Sequence, residues 1–273
     1  LIDGNITIVS PIKNSPAEKI GLQANDIIIE IDGVNMKGKS IETAVEKLRG
    51  TAGTTVKVKI LRSGQEYSYT ITREKIQNNS ISYEIMENSN KKSVAYIELI
   101  NFGADTYTKF VTAAQAITKE KIDGIILDMR NNPGGYMDAA INIIGLFTDK
   151  IEPAVKLRFA DGSMLNYNTS GDGMLKDYKV VILINKGSAS ASEIVAGALK
   201  DYKIAKLIGE KSFGKGTVQE LATFKDGSLF KYTISKWLTP NGTDIGHVGI
   251  IPDKTVTNIK NEDTQLKEAL KEF

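Results

Sequence analysis

Gly124-Ile-Ile-Leu-Asp-Met129 runs directly into Arg130-Asn-Asn-Pro-Gly-Gly135 and then into an apolar-periodic stretch over residues 137–147. A short apolar run, a glycine turn and a helical pattern in succession form the repeating unit of a parallel sheet: buried strand, turn, crossover helix. The unit recurs in both directions. Residues 93–100 read as strand and 106–118 as helix; further on, 179–184 read as strand, 189–200 as helix and 205–209 as strand. Such alternation predicts an α/β core.

The chain before this core has a different rhythm. Residues 5–10, 25–33, 54–61 and 65–72 read as short strands. Ser15-Pro16 opens one helical pattern that Gly21 stops, and Ser40 opens a second that Gly50 closes. In the second, Ile41, Ala44, Val45 and Leu48 make one apolar stripe. A small, mainly β domain of about 75 residues is expected. The polar stretch 77–80 is a natural junction, giving domains 1–75 and 76–273.

Composition narrows the chemistry. The 273 residues carry 35 basic and 33 acidic side chains, a formal charge of +2, too balanced for a strongly basic nucleic-acid footprint. With no Cys and a single His, His247, thiolate chemistry and two-His metal sites drop out. His247 lies between glycines and reads as a surface-loop residue.

Three loops at the carboxyl ends of expected strands hold the unusual residues, where α/β folds place their sites. They are 130–135, Gly187-Ser-Ala-Ser-Ala-Ser-Glu193 and 210–219. Each has a plain explanation by itself: a tight turn, a capping box from Ser190 to Glu193, a glycine-rich hairpin. Gly209 with Gly214-Lys215 also has P-loop spacing. Position 216 is Gly where Mg²⁺ needs Ser or Thr, and a β-rich stretch follows instead of a helix.

Taken together, the motifs resemble the carboxyl-terminal processing, or tail-specific, protease family, most closely its Gram-positive bacterial type. Ile125 to Gly135, Gly187 to Ile194, Phe213-Gly-Lys-Gly-Thr-Val-Gln219, Trp237-Leu-Thr-Pro-Asn-Gly242 and Gly249-Ile-Ile-Pro-Asp253 carry the likeness. Thr243 departs from the Arg common there in the family. Ser15-Pro-Ala-Glu-Lys-Ile-Gly-Leu22 and Leu48-Arg-Gly-Thr-Ala-Gly-Thr54 resemble the PDZ domain of such proteases. The implied fold is an α/β protease core with a parallel sheet and crossover helices, of crotonase/Clp-like character, plus a small mainly β PDZ domain.

By position, the resemblance implies Ser190 as nucleophile, Lys215 as base and Gln219 as the residue orienting the lysine, with Ser188 and Ser192 as alternatives for the nucleophile. The oxyanion donors would be the amide of Ala191 and that of Gly134 or Gly135. A substrate tail would pair beside the second helix, against Ile41, Val45 and Leu48, although the glycine-rich carboxylate-binding turn of PDZ domains would lie before residue 1. Asp128 and Arg130 would hold the glycine loop. The expected activity is that of a serine endopeptidase acting on proteins with accessible C-termini, without metal or organic cofactor and without a nucleic-acid partner. The resemblance also implies an extracytoplasmic setting and leaves room for a homodimer and for a membrane tether outside this chain.

The dyad makes a physical demand. A free lysine has a pKa near 10.4, so burial must lower it by about 3, at a cost of roughly 4 kcal/mol, before it can take a serine proton near pH 7. Phe213, Val218 and Leu221 are the expected apolar cover. The rival reading is a protease-like peptide-binding protein without turnover.

Overall fold

The computed structural model describes residues 4–12, 15–75, 80–224, 226–259 and 262–273. The chain divides into two compact units, 1–79 and 80–273. Of the polar stretch 77–80, only Ser80 is among the described residues.

In the first unit, helix α1 (Pro16–Lys19) starts as its sequence dictates: Ser15 is extended and its Oγ accepts the Glu18 N–H. Strands β1 (Ile27–Ile31) and β2 (Val34–Asn35), helix α2 (Ile41–Leu48) and strands β3 (Thr55–Arg62) and β4 (Gln65–Thr72) follow. The strands form one antiparallel sheet in the order β2-β1-β3-β4. Val56, Val58 and Ile60 alternate along β3 and bury one face with Ile28, Ile31 and Ile71. Residues 5–10 do not form the expected strand. Thr7 makes an isolated bridge to Ile27, and the pairing ends at Ile8, which bonds Asp26 and Asn25. The α2 stripe is also incompletely covered: Ala44 is buried, Ile41 and Leu48 are half-buried, and Val45 is 36% exposed. Leu48 lines an apolar cavity of about 540 Å³ with Ile8, Pro11, Ile12 and Ile71, whereas Ile41 and Val45 are not among its lining residues.

The second unit opens with the hairpin β5 (Ile81–Glu87) and β6 (Ser93–Leu99), then α3 (Thr106–Ile117), β7 (Gly124–Asp128), α4 (Met137–Gly145), β8 (Pro153–Phe159) and β9 (Met164–Asn168). It continues with β10 (Lys179–Ile184), α5 (Ala191–Asp201), β11 (Ala205–Gly209), β12 (Thr217–Thr223), β13 (Leu229–Leu238), β14 (Lys254–Thr255) and α6 (Thr264–Leu270). One sheet runs β14-β11-β10-β7-β6-β5, parallel except for its edge strand β5. Every residue of β7 is buried, as is all of β10 after Lys179, which is the signature of strands covered on both faces. The α/β expectation is met. A second sheet, β12-β13-β8-β9, is wholly antiparallel. Residues 249–253 are irregular; Pro252 cannot donate to a ladder, and pairing waits until Lys254.

The order β11-β10-β7 sets three adjacent strand ends side by side, and the three loops singled out above follow those strands.

Candidate active site

Main-chain and side-chain hydrogen bonds stitch the three loops together. Ala189 N–H donates to the Asn132 carbonyl (3.0 Å), Asn131 N–H to Asn185 Oδ1 (2.8 Å) and Phe213 N–H to the Ser188 carbonyl (3.0 Å).

The three serines of the 188–192 run have different environments. Ser188 is fully buried, its Oγ donating to the Met129 carbonyl at 2.7 Å and accepting the Asn185 N–H at 3.0 Å. Ser192 is fully buried and donates to the Asn132 carbonyl at 3.0 Å. Both hydroxyls are committed to holding loops. Ser190 is half-buried, with φ 56° and ψ −116°, at the start of α5. Ordinary serine caps are extended, as Ser15 and Ser40 are here. The Ser190–Glu193 pair has the capping-box arrangement, but its short contacts run through the Ser190 backbone. The Glu193 carboxylate accepts the Ser190 N–H (2.9 Å), the Glu193 N–H reaches the Ser190 carbonyl (2.9 Å), and the Ser190 hydroxyl makes no cap hydrogen bond. A positive φ at a non-glycine residue costs on the order of 1–3 kcal/mol and recurs where a nucleophile is presented on a sharp strand-to-helix turn.

Gly134 packs against this turn. Its φ is +93°, and a Cβ there would lie 2.7 Å from Ser190 Cβ and 2.9 Å from the Ala191 nitrogen. Its amide is taken by Asn132 Oδ1 at 2.9 Å. The amides of Gly135 and Ala191 have no acceptor among the described residues. Asn132, which no sequence motif singles out within its loop, is fully buried and anchors the turn further by donating Nδ2 to the Leu99 carbonyl at 2.7 Å.

Lys215 follows β11 in a loop clamped by its main chain. Its N–H donates to Glu193 Oε2 (3.0 Å) and its carbonyl accepts Trp237 Nε1–H (2.6 Å). The side chain is exposed, which corrects the expectation of burial. Phe213 is half-buried, Val218 packs against the main core instead of covering the lysine, and the side chain of Leu221 lies outside the described residues. Gln219 is exposed on β12 just after a bulge between Val218 and Gln219. A strand, not a helix, follows Lys215, so no helix N-terminus is available there for a phosphate. His247 is exposed, and its N–H donates to the Gly214 carbonyl at 2.9 Å.

Behind the glycine loop, Arg130 joins β7 to α6. It bonds both oxygens of Asp128 and reaches Asp263 at 2.7 and 2.8 Å, while Tyr96 donates to Asp128 at 2.7 Å. Burial opposes the Arg130 charge, yet the hydrogen bonds to Asp263 and the Asp128 carboxylate raise its pKa overall. Removing the cation leaves Asp128, 3% exposed, as an uncompensated buried charge. Arg130→Met is expected to lower stability by about 3–5 kcal/mol in urea unfolding. Adding Asp128→Asn should recover part of that loss; no recovery would mean that packing, not charge, carries the effect.

Known proteins match this chain along most of its length. A family model described as peptidase family S41 matches residues 93–256, and one described as a PDZ domain matches residues 7–62. The chain is 43% identical over 258 residues to a probable CtpA-like serine protease of Staphylococcus haemolyticus, covering 94% of this chain and 51% of that protein. It is 42% identical over 281 residues to the carboxy-terminal processing protease CtpB of Bacillus subtilis, covering 98% and 57%. The chain thus spans about half the length of these curated relatives. The structure of a photosystem II D1 C-terminal processing protease matches with a TM-score of 0.88 and 31% identity, over 93% of this chain and 69% of that one.

Proposed function

Since the chain belongs to peptidase family S41, we propose that it is a serine endopeptidase with Ser190 as nucleophile and Lys215 as general base. One observation carries this reading: of three neighbouring serines, two are fully buried with hydroxyls locked onto carbonyls, and Ser190 alone stands half-buried on a strained turn. Ser190 Oγ attacks the scissile carbonyl carbon as its proton passes to Lys215 Nζ. The oxyanion forms beside the amides of Ala191 and Gly135, with Gly134 supplying the close approach. Collapse expels the amine, which takes the proton from Lys215, and leaves an acyl-enzyme on Ser190. Water, deprotonated by Lys215, releases the new C-terminus. Gln219 steadies the lysine. A peptide lying over Ser190 supplies the desolvation that the exposed Lys215 side chain lacks in the free chain.

Selection of substrates by their C-terminal tails is part of the proposal, with the first unit as reader and α2, through Ile41, Val45 and Leu48, as the contact. An extracytoplasmic setting, a homodimer and a membrane tether outside this chain complete it.

A fluorophosphonate probe tests the core of the reading. The wild-type chain should be labelled on the peptide carrying Ser190 and should degrade casein; Ser190→Ala should lose the label and at least about 10³-fold of turnover. Label on Ser188 or Ser192, or full casein turnover by Ser190→Ala, would sink it.

A further inference from the structure

We propose that Glu193 is a positioning residue, the strut that sets the Lys215 loop against the Ser190 turn. This rests on the serine–lysine reading above. The side chain is fully buried, and each carboxylate oxygen serves two donors. Oε2 accepts the N–H of Ser190 at 2.9 Å and of Lys215 at 3.0 Å; Oε1 accepts the Ser212 hydroxyl at 2.6 Å and the Gly214 N–H at 2.7 Å. A helix cap accounts for the first of these bonds alone. The other three reach across the chain to the loop that carries the lysine, so a single side chain holds the backbones of both reacting residues.

The group type matters as much as the place. Four donors converge on two oxygens, and only an ionised carboxylate accepts at both; an amide would turn its NH2 toward the N–H groups of Ser190 and Lys215 or, flipped, toward the Gly214 N–H. Burial pushes the Glu193 carboxyl above the ordinary glutamate range, while its hydrogen bonds to Ser212, Gly214, Ser190 and Lys215 act in the opposite direction. A chain seeking stability alone gains little from such a buried acid, because its desolvation cancels much of what the hydrogen bonds return. Ser212 extends the strut: its Oγ also accepts the Ile250 N–H at 2.6 Å. With Trp237 holding the Lys215 carbonyl from β13, the main chain of the lysine is fixed on both sides and the carboxylate sets its distance from Ser190.

The test measures fluorophosphonate labelling rates and peptide kcat and KM on the full chain at 25 °C, after circular dichroism has shown each variant folded. A displacement near 1 Å costs on the order of 10²-fold, so Glu193→Gln should label about 10- to 100-fold more slowly, with kcat lowered and KM within about twofold. Ser212→Ala, which removes one of the four bonds to the carboxylate and the acceptor of the Ile250 N–H, should lose a few-fold. In a Lys215→Ala background the Glu193→Gln effect should shrink below about threefold, because the strut then has no base to place. Ser212→Ala alone and with Lys215→Ala carries the test if Glu193→Gln fails to fold. Labelling of folded Glu193→Gln at the wild-type rate, or an undiminished effect in the Lys215→Ala background, would overturn the proposal and leave the serine–lysine reading intact. An unlabelled wild-type chain would refute that reading, and this proposal with it.

Discussion

Lys215→Ala should fold like the parent chain and lose at least about 10³-fold in turnover, in the range general-base removal gives. The structure supports the first half of this expectation. The strong anchors of the loop, the Glu193 carboxylate and the Trp237 indole, engage the main-chain N–H and carbonyl of Lys215, which alanine retains. The side chain is exposed, so truncating it opens no cavity. A melting temperature within a few degrees of wild type, with casein and fluorophosphonate reactivity collapsed together, would separate chemistry from folding. Lys215→Arg sharpens the point. It keeps charge and length, but a guanidinium stays protonated at any working pH and cannot take the serine proton. It should be as inactive as the alanine variant. Activity within tenfold of wild type in either variant would remove Lys215 from the mechanism.

How far the sequence announced this arrangement depends on how local each feature is. The strand runs 124–129 and 179–184 are apolar at nearly every position, and this is what burial on both faces requires; their place in a parallel sheet was therefore legible. Strands β5 and β9 are half-buried or exposed at every residue, so neither shows the continuous apolar run that marks a strand covered on both faces. Pairing partners define such strands, and partners are not written in the strand itself. The same limit applied at the site. Ser190 was legible through its motif as one of three serines in five residues, and the bonds of the Ser188 and Ser192 hydroxyls to carbonyls favour it without being written in the sequence. Glu193 was legible only as a helix cap, because the capping box has the same spacing whether or not its carboxylate serves anything else. Its other partners lie 19 to 22 residues along the chain. The expected cover over Lys215 failed for a related reason. Nearness to a lysine in sequence is not nearness in space: Val218 packs its side chain against the main core.

Gly134→Ala should abolish activity, and the cause should be a displaced Ser190 turn. At φ +93° an L-residue is already strained, at roughly 1–3 kcal/mol. The added methyl carbon would then sit 2.6 Å from the Ala189 carbonyl oxygen and 2.7 Å from Ser190 Cβ. The first of these is backbone, so no rotamer change can relieve it. Two structures must yield: the 130–135 loop, held by Asn132 to Leu99 and to Ala189, or the turn that presents the nucleophile. Either movement separates Ser190 from the amides of Ala191 and Gly135, and losing one oxyanion donor alone costs on the order of 10²–10³-fold. The combined expectation is a loss of at least about 10³-fold in kcat, with stability lowered by a few kcal/mol. Gly103→Ala is the control, since its nearest contact is the tip of the Asn101 side chain at 3.2 Å, which can shift. A folded Gly134→Ala chain that labels with fluorophosphonate at the wild-type rate would show that the two loops do not share the oxyanion site, and the choice of Gly135 as donor would fall with it.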